Sequence, residues 1–206
     1  VSVTWRDPAA LPPPGRRARA APSQAREVLA GAVGVRPDEL SLHPDAQTAL
    51  TVGLDGLRHA RRRVGTRVVA SAVERSVVLL SPGTDQPVPV DHEGRVDVSA
   101  FAASLDNPGD GPPAAAVLQS ASGEVGTRQP VAAVDALCRT AGIPLLLDAT
   151  ASLGRDPAAH PTGAGSVIVA DAAPFGGPPL GLLAVRTGTR WGLPGPRREA
   201  EHRRAL

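Results

Sequence analysis

The 206-residue chain has no lysine, no tyrosine and no methionine, and a single cysteine, Cys138. All 22 basic residues are arginines, set against 20 aspartates and glutamates for a net charge of +2. That near balance excludes the large basic face of a nucleic-acid binder. Arg61-Arg62-Arg63 and the pairs Arg197-Arg198 and Arg203-Arg204 read as solvated helix ends. One cysteine excludes an internal disulfide framework and fits a reducing compartment. No apolar run approaches the roughly 18 residues of a membrane span. The first residues lack the hydrophobic segment of a signal peptide, so a soluble, cytoplasmic protein is expected. Aromatics make up only 2% of the chain, two Trp and two Phe, so its core must be built from Ala, Val and Leu.

What is present is an ordinary apolar share, 42%, broken up by 22 Gly and 22 Pro. These fall mostly between apolar runs and act as punctuation. The length suits one sizeable core. Residues 1–14 are Pro-rich and read as an N-terminal arm, 15–190 as a single large domain, and 191–206 as a basic C-terminal tail.

From Gly15 a helical period puts Ala21, Ala25, Val28, Leu29 and Ala32 on one face, with Pro22 kinking or splitting the helix and Gly34 closing it. A short strand at Leu40-Ser41-Leu42 leads through His43-Pro44-Asp45 into a helix from Ala46 to Arg62, with Leu50, Leu54 and Leu57 inward. Backbone N–H groups converge at such a helix start and can hold a phosphate, but Asp45 is suited to cap the helix itself. Further strands are expected at 67–72, 86–90, 114–118, 143–147, 166–170 and 181–186, and helices at 74–80, 98–105 and 130–141. This alternation predicts an α/β fold with a largely parallel sheet. Ligands on such sheets sit at the C-terminal strand ends, where His43, Ser71, Gln119, Asp148 and Asp171 all fall. The two densest such ends are Leu145-Leu146-Leu147-Asp148 and Val167-Ile168-Val169-Ala170-Asp171.

Six motifs in order, Arg36-Pro37-Asp38-Glu39-Leu40, Ser71-Ala72-Val73-Glu74, Gly94-Arg95-Val96-Asp97, Gly123-Glu124-Val125-Gly126-Thr127-Arg128-Gln129-Pro130, Asp148-Ala149 and Phe175-Gly176-Gly177-Pro178, resemble the class V aminotransferases, and within them the cysteine desulfurases. The resemblance covers about Gly15 to Arg190. It implies the three-layer large domain of a pyridoxal-phosphate enzyme that is normally a homodimer. That chemistry needs a lysine to form a Schiff base with the cofactor aldehyde and an aspartate to keep the pyridine nitrogen protonated.

Asp148 matches the aspartate, but the lysine position reads Pro174. The family's phosphate ligands align with Gln47, Asp171 and Ala173, its glycine before the helix with Asp45, its ring-stacking histidine with Arg75, and the glutamine on the phenolic oxygen with Ala151. Its asparagine aligns with Ser122 or Gly123. Two carboxylates therefore stand where a dianion would sit, and like charges in one pocket repel. The small C-terminal domain and the loop with the sulfur-accepting cysteine are expected to be absent, and Cys138 reads as a buried structural thiol.

The resemblance with these departures implies a degenerate, truncated family member: an inactive desulfurase-like domain with no cofactor, working as a homodimer or as a heterodimer with an intact homologue, away from nucleic acid and membrane. The alternative is an enzyme that holds pyridoxal phosphate non-covalently or borrows a lysine from another subunit. A third reading is a small-ligand binder using Asp45, Asp171, Arg75 and His43.

Overall fold

The computed structural model describes residues 24–107, 111–156 and 163–194. The arm 1–14, the helix start at Arg16 to Pro22 and residues 195–206 of the tail lie outside the described residues.

Six strands form one sheet in the order β1-β6-β5-β4-β3-β2. They are β1 Leu40–His43, β2 Val68–Ala70, β3 Ala115–Gln119, β4 Leu145–Asp148, β5 Val167–Asp171 and β6 Gly181–Val185. Strands β2 to β5 pair in parallel, and β6 is antiparallel to both β5 and β1. The first five strands thus point the same way, and their C-terminal ends share one edge of the sheet. The register aligns Gln119 with Asp148, and Asp148 with Val169.

Helices cover both faces. On one side α2 (Ala46–Arg61) buries Leu50, Leu54 and Leu57 against Val68, Ala70, Val117, Leu146, Val167 and Val169. On the other, α4 (Val98–Asp106) and α5 (Val131–Ala141) set Phe101, Leu105, Val134 and Cys138 against Val69, Leu118, Leu145 and Leu147. The neighbouring part of that side is covered by α1 (24–33), whose Ala30 and Val33 meet Ile168, Ala170 and Leu182. Alternate residues of one strand feed opposite layers, Leu146 one and Leu145 and Leu147 the other, as the two-residue strand period requires. This is the expected three-layer α/β arrangement with a mainly parallel sheet.

Two local expectations are corrected. Residues 86–90 form no strand; Val88 bridges Ser71, and Val90 bridges Val96. Pro87 and Pro89 alternate along that segment and cannot donate to a ladder. In α1 the buried face is Ala30 and Val33 with Leu29 at its edge, while Val28 is 73% exposed. An alanine-rich helix has a weak stripe, and the apolar partners on β1, β5 and β6 chose the face one residue away from the expected one.

The helix ends follow the sequence closely. Asp97 caps α4 by accepting from the N–H groups of Ser99 and Ala100. Gly142, at φ +65°, ends α5 in the left-handed conformation that glycine adopts without strain. Trp191 lies across α2, with its Nε1 donating to the Gly53 carbonyl at 3.1 Å. A Cβ at Gly56 would lie 1.9 Å from that nitrogen, so only glycine lets the ring seat there.

Candidate functional site

At the shared strand edge, the turns after β2, β3, β4 and β5 enclose a cavity of about 300 Å³. Arg75, Gln119, Ser122, Ala151, Arg155 and Asp171 are among its lining residues. A larger cleft of about 840 Å³ lies between the turn at Asp91 to Arg95 and the loop Val125 to Arg128. None of the residues lining that cleft is buried, so it lacks a desolvated polar group to do chemistry.

The floor of the strand-end cavity is built around two buried carboxyl groups. Asp148 ends β4 and is 1% exposed. Its Oδ1 accepts from Thr150 N at 3.0 Å and from Thr150 Oγ1 at 2.7 Å. Its Oδ2 accepts no hydrogen bond and faces the Arg75 guanidinium at 3.8 Å. Burial raises the Asp148 pKa, opposed by the Thr150 bonds and by Arg75. The ion-pair partner of Asp148 is Arg75.

Glu74 is the second carboxyl, 5% exposed in the turn between β2 and α3 (Ser76–Leu79). Its Oε1 accepts from Ser71 Oγ and from Gln119 N, both at 2.9 Å, while its Oε2 has no partner. Burial, reinforced by the nearby Asp148 charge, pushes its pKa up to about 8 against the lowering effect of the two hydrogen bonds. Glu74 is therefore largely protonated at neutral pH. The Gln119 side chain bonds the Val73 carbonyl at 2.5 Å, locking the turn to the end of β3. Below the same edge, buried Ser120 and Ser152 share a 2.5 Å contact, and Ser120 Oγ also bonds the Asp148 carbonyl.

Of the residues singled out from sequence, Arg75, Asp148, Ala151, Asp171, Ser122 and Gly123 are brought to this edge, Asp148 behind Arg75 and the others lining the cavity. Gln47, exposed in the first turn of α2, is not among the lining residues. Ala173 and the half-buried Pro174 lie in the single helical turn after β5 and do not line it either. Asp45 caps α2, with Oδ1 accepting from Thr48 N at 2.6 Å and Oδ2 from Thr48 Oγ1 at 3.0 Å. His43 is buried at the end of β1, its Nε2 3.1 Å from Ser41 Oγ and outside the cavity lining. Of the four residues of the small-ligand reading, Arg75 and Asp171 line the cavity, Asp45 directly precedes its lining residue Ala46, and only His43 lies apart. Cys138 is buried, and its thiol pKa is pushed up to about 12 by burial and then by Asp135, as an inert thiol requires.

Glu74 is a site residue that the motif Ser71-Ala72-Val73-Glu74 does not by itself single out. The available signal was a carboxylate directly after a buried strand end, with Gln119 at the next strand end. Among the described residues no group of His, Cys, Asp and Glu is arranged to hold a metal, and no helix is long and apolar enough to cross a membrane.

No protein-family model matches the chain. It is 29% identical over 184 residues to an IscS-like cysteine desulfurase of Mycobacterium tuberculosis, covering 84% of this chain and 46% of that protein. It is 26% identical to the cysteine desulfurase IscS of Dictyoglomus turgidum, over 85% and 46% of the two chains. Among solved structures, a NifS-like protein superposes with a TM-score of 0.78 at 22% identity, over 90% of this chain and 53% of that one. DndA of Streptomyces lividans superposes with a TM-score of 0.71 at 28% identity, over 84% and 49%. The chain spans about half the length of the relatives it matches. By sequence and by fold, the chain resembles cysteine desulfurases over about half of their length.

Proposed function

We propose that this chain is a desulfurase-like large domain without desulfurase chemistry, acting through association as a homodimer or as a heterodimer with an intact homologue in the cytoplasm. The observation that carries the reading is Pro174: at the position where the resemblance calls for the Schiff-base amine stands a residue with none, in a chain without lysine. Proline also fits its place, the start of the turn Ala173–Phe175, where an N–H would have no helical acceptor.

The residues suit pyridoxal phosphate poorly. Asp148 could face a ring N–H, but Arg75 already holds that carboxylate. Asp45 takes the Thr48 N–H in the first turn of α2 and sets a carboxylate where a phosphate would otherwise be bound. No step of cysteine chemistry follows from such a site. What the sequence retains is the sheet, its covering helices and the turn glycines, the parts that folding and association need.

The preserved, buried Asp148 favours a second reading, an enzyme that binds the cofactor non-covalently or is completed by another subunit's lysine. Sulfide release from cysteine, measured with added pyridoxal phosphate, separates the two. The first reading expects no release by this chain alone, together with a defined dimer, or a complex with a full-length desulfurase, in sedimentation velocity. Turnover by the chain alone would overturn it.

A further inference from the structure

We propose that the chain's own side chains fill the seats a phosphorylated pyridine ligand would use, Arg75 on Asp148 and the carboxylates of Asp45 and Asp171 on backbone N–H groups beside the cavity. This rests on the non-catalytic reading above and says how the site was closed.

The first seat is Asp148. A buried carboxylate with both oxygens donor-hungry would draw in a cationic ring N–H. Here Oδ1 is saturated by Thr150, and Oδ2 looks at the Arg75 guanidinium. Asp148 is absent from the cavity lining although Arg75 and Thr150, on either side of it, are present. The guanidinium thus stands between the carboxylate and the cavity. A ring cation can reach Oδ2 only by evicting another cation, which cancels most of the Coulombic gain and leaves Arg75 unpaired.

The second seat is the start of α2. A 16-residue helix presents free N–H groups and the positive end of its dipole there, beside Ala46 on the cavity wall. Asp45 has taken that role with two hydrogen bonds to Thr48. The third seat is the turn after β5, where Asp171 lines the cavity and its Oδ1 accepts from Ala173 N at 2.9 Å. A phosphate entering between them would find carboxylates where it needs donors, and the repulsion between like charges excludes it. A cation is met by a cation and an anion by anions. The domain therefore folds without a cofactor and gains nothing from one.

The test uses pyridoxine 5′-phosphate, which has the ring and the phosphate but no aldehyde, so its binding needs no lysine. Fluorescence titration to about 1 mM compares the wild-type chain with the triple variant D45G/R75H/D171S, a range that spans the weakest affinities of interest. The expected result is no saturable binding by the wild type and a gain of at least about tenfold by the variant. Equal or tighter binding by the wild type overturns the proposal, and so does absence of binding by a folded variant. Should the triple variant fail to fold, Arg75→His alone must bind unphosphorylated pyridoxine more tightly than the wild type; equal affinity overturns the proposal. The two readings fail separately. Wild-type binding of this aldehyde-free ligand would refute self-closure and leave the non-catalytic reading standing, whereas a reducible covalent adduct with pyridoxal phosphate would refute the non-catalytic reading.

Discussion

Glu74→Gln isolates the protonation of the buried acid. In the folded chain the Glu74 pKa is raised to about 8, against 4.5 for an exposed glutamate. The sign follows from proton counting. Below pH 4.5 both folded and unfolded states carry the proton, and Glu74 makes no pH-dependent contribution. Between the two values only the folded state holds it, so stability falls as pH rises, and above about 8 the full penalty is present. At about 1.4 kcal/mol for each pH unit, this group removes roughly 2 kcal/mol between pH 6 and 8. Glutamine keeps an acceptor for Ser71 Oγ and Gln119 N and places a neutral amide where Oε2 stands, so it removes the titration while preserving the turn. Urea denaturation of both proteins at pH 6, 7 and 8 reads the effect. With a slope near 2 kcal/mol per molar, the midpoint of the variant relative to wild type should rise by about 1 M across that range. Titrating groups other than Asp148, whose charge is coupled to Glu74, contribute equally to both chains. Parallel midpoints would refute the claim that Glu74 is buried as a neutral acid.

Other consequences are simpler to measure. Phe101→Ala empties the largest fully buried side chain and should cost about 3–5 kcal/mol in chemical denaturation. Gly56→Ala drives a methyl into the Trp191 ring and should cost about 1–3 kcal/mol, with a red-shifted tryptophan emission as the ring leaves its seat on α2. Asp45→Ala should lower the melting temperature at neutral pH, Asp45→Asn should restore most of it, and the difference should vanish as pH falls through the depressed Asp45 pKa. Cys138 should resist a thiol-specific disulfide reagent at pH 8 until the chain is unfolded, because burial keeps it protonated.

How much of this was legible in the sequence differs from element to element. The buried strands read easily, since Leu145-Leu146-Leu147 and Val167-Ile168-Val169-Ala170 are long enough to be strands and too apolar to lie on a surface. The cap Asp45 was legible from residue type, and the edge that gathers Gln119, Asp148 and Asp171 from strand alternation. The buried face of α1 was not, because alanine carries little hydrophobic contrast and the choice belonged to partners distant in sequence. The segment at 86–90 misled because alternating valines imitate a strand while the intervening prolines remove its donors. Arg75 and Glu74 were visible as residues, but their roles depend on burial and on facing Asp148 across two strand ends, which no local pattern encodes. The antiparallel insertion of β6 between β1 and β5 was likewise a matter of topology.

The most direct test of the non-catalytic reading is the intact mass of the chain after incubation with pyridoxal phosphate, removal of free cofactor and borohydride reduction. The account predicts an unmodified mass and no absorbance retained between about 320 and 450 nm, since the chain supplies no lysine amine. A stoichiometric pyridoxyl addition mapped by peptide analysis to a residue at the strand-end cavity would contradict it.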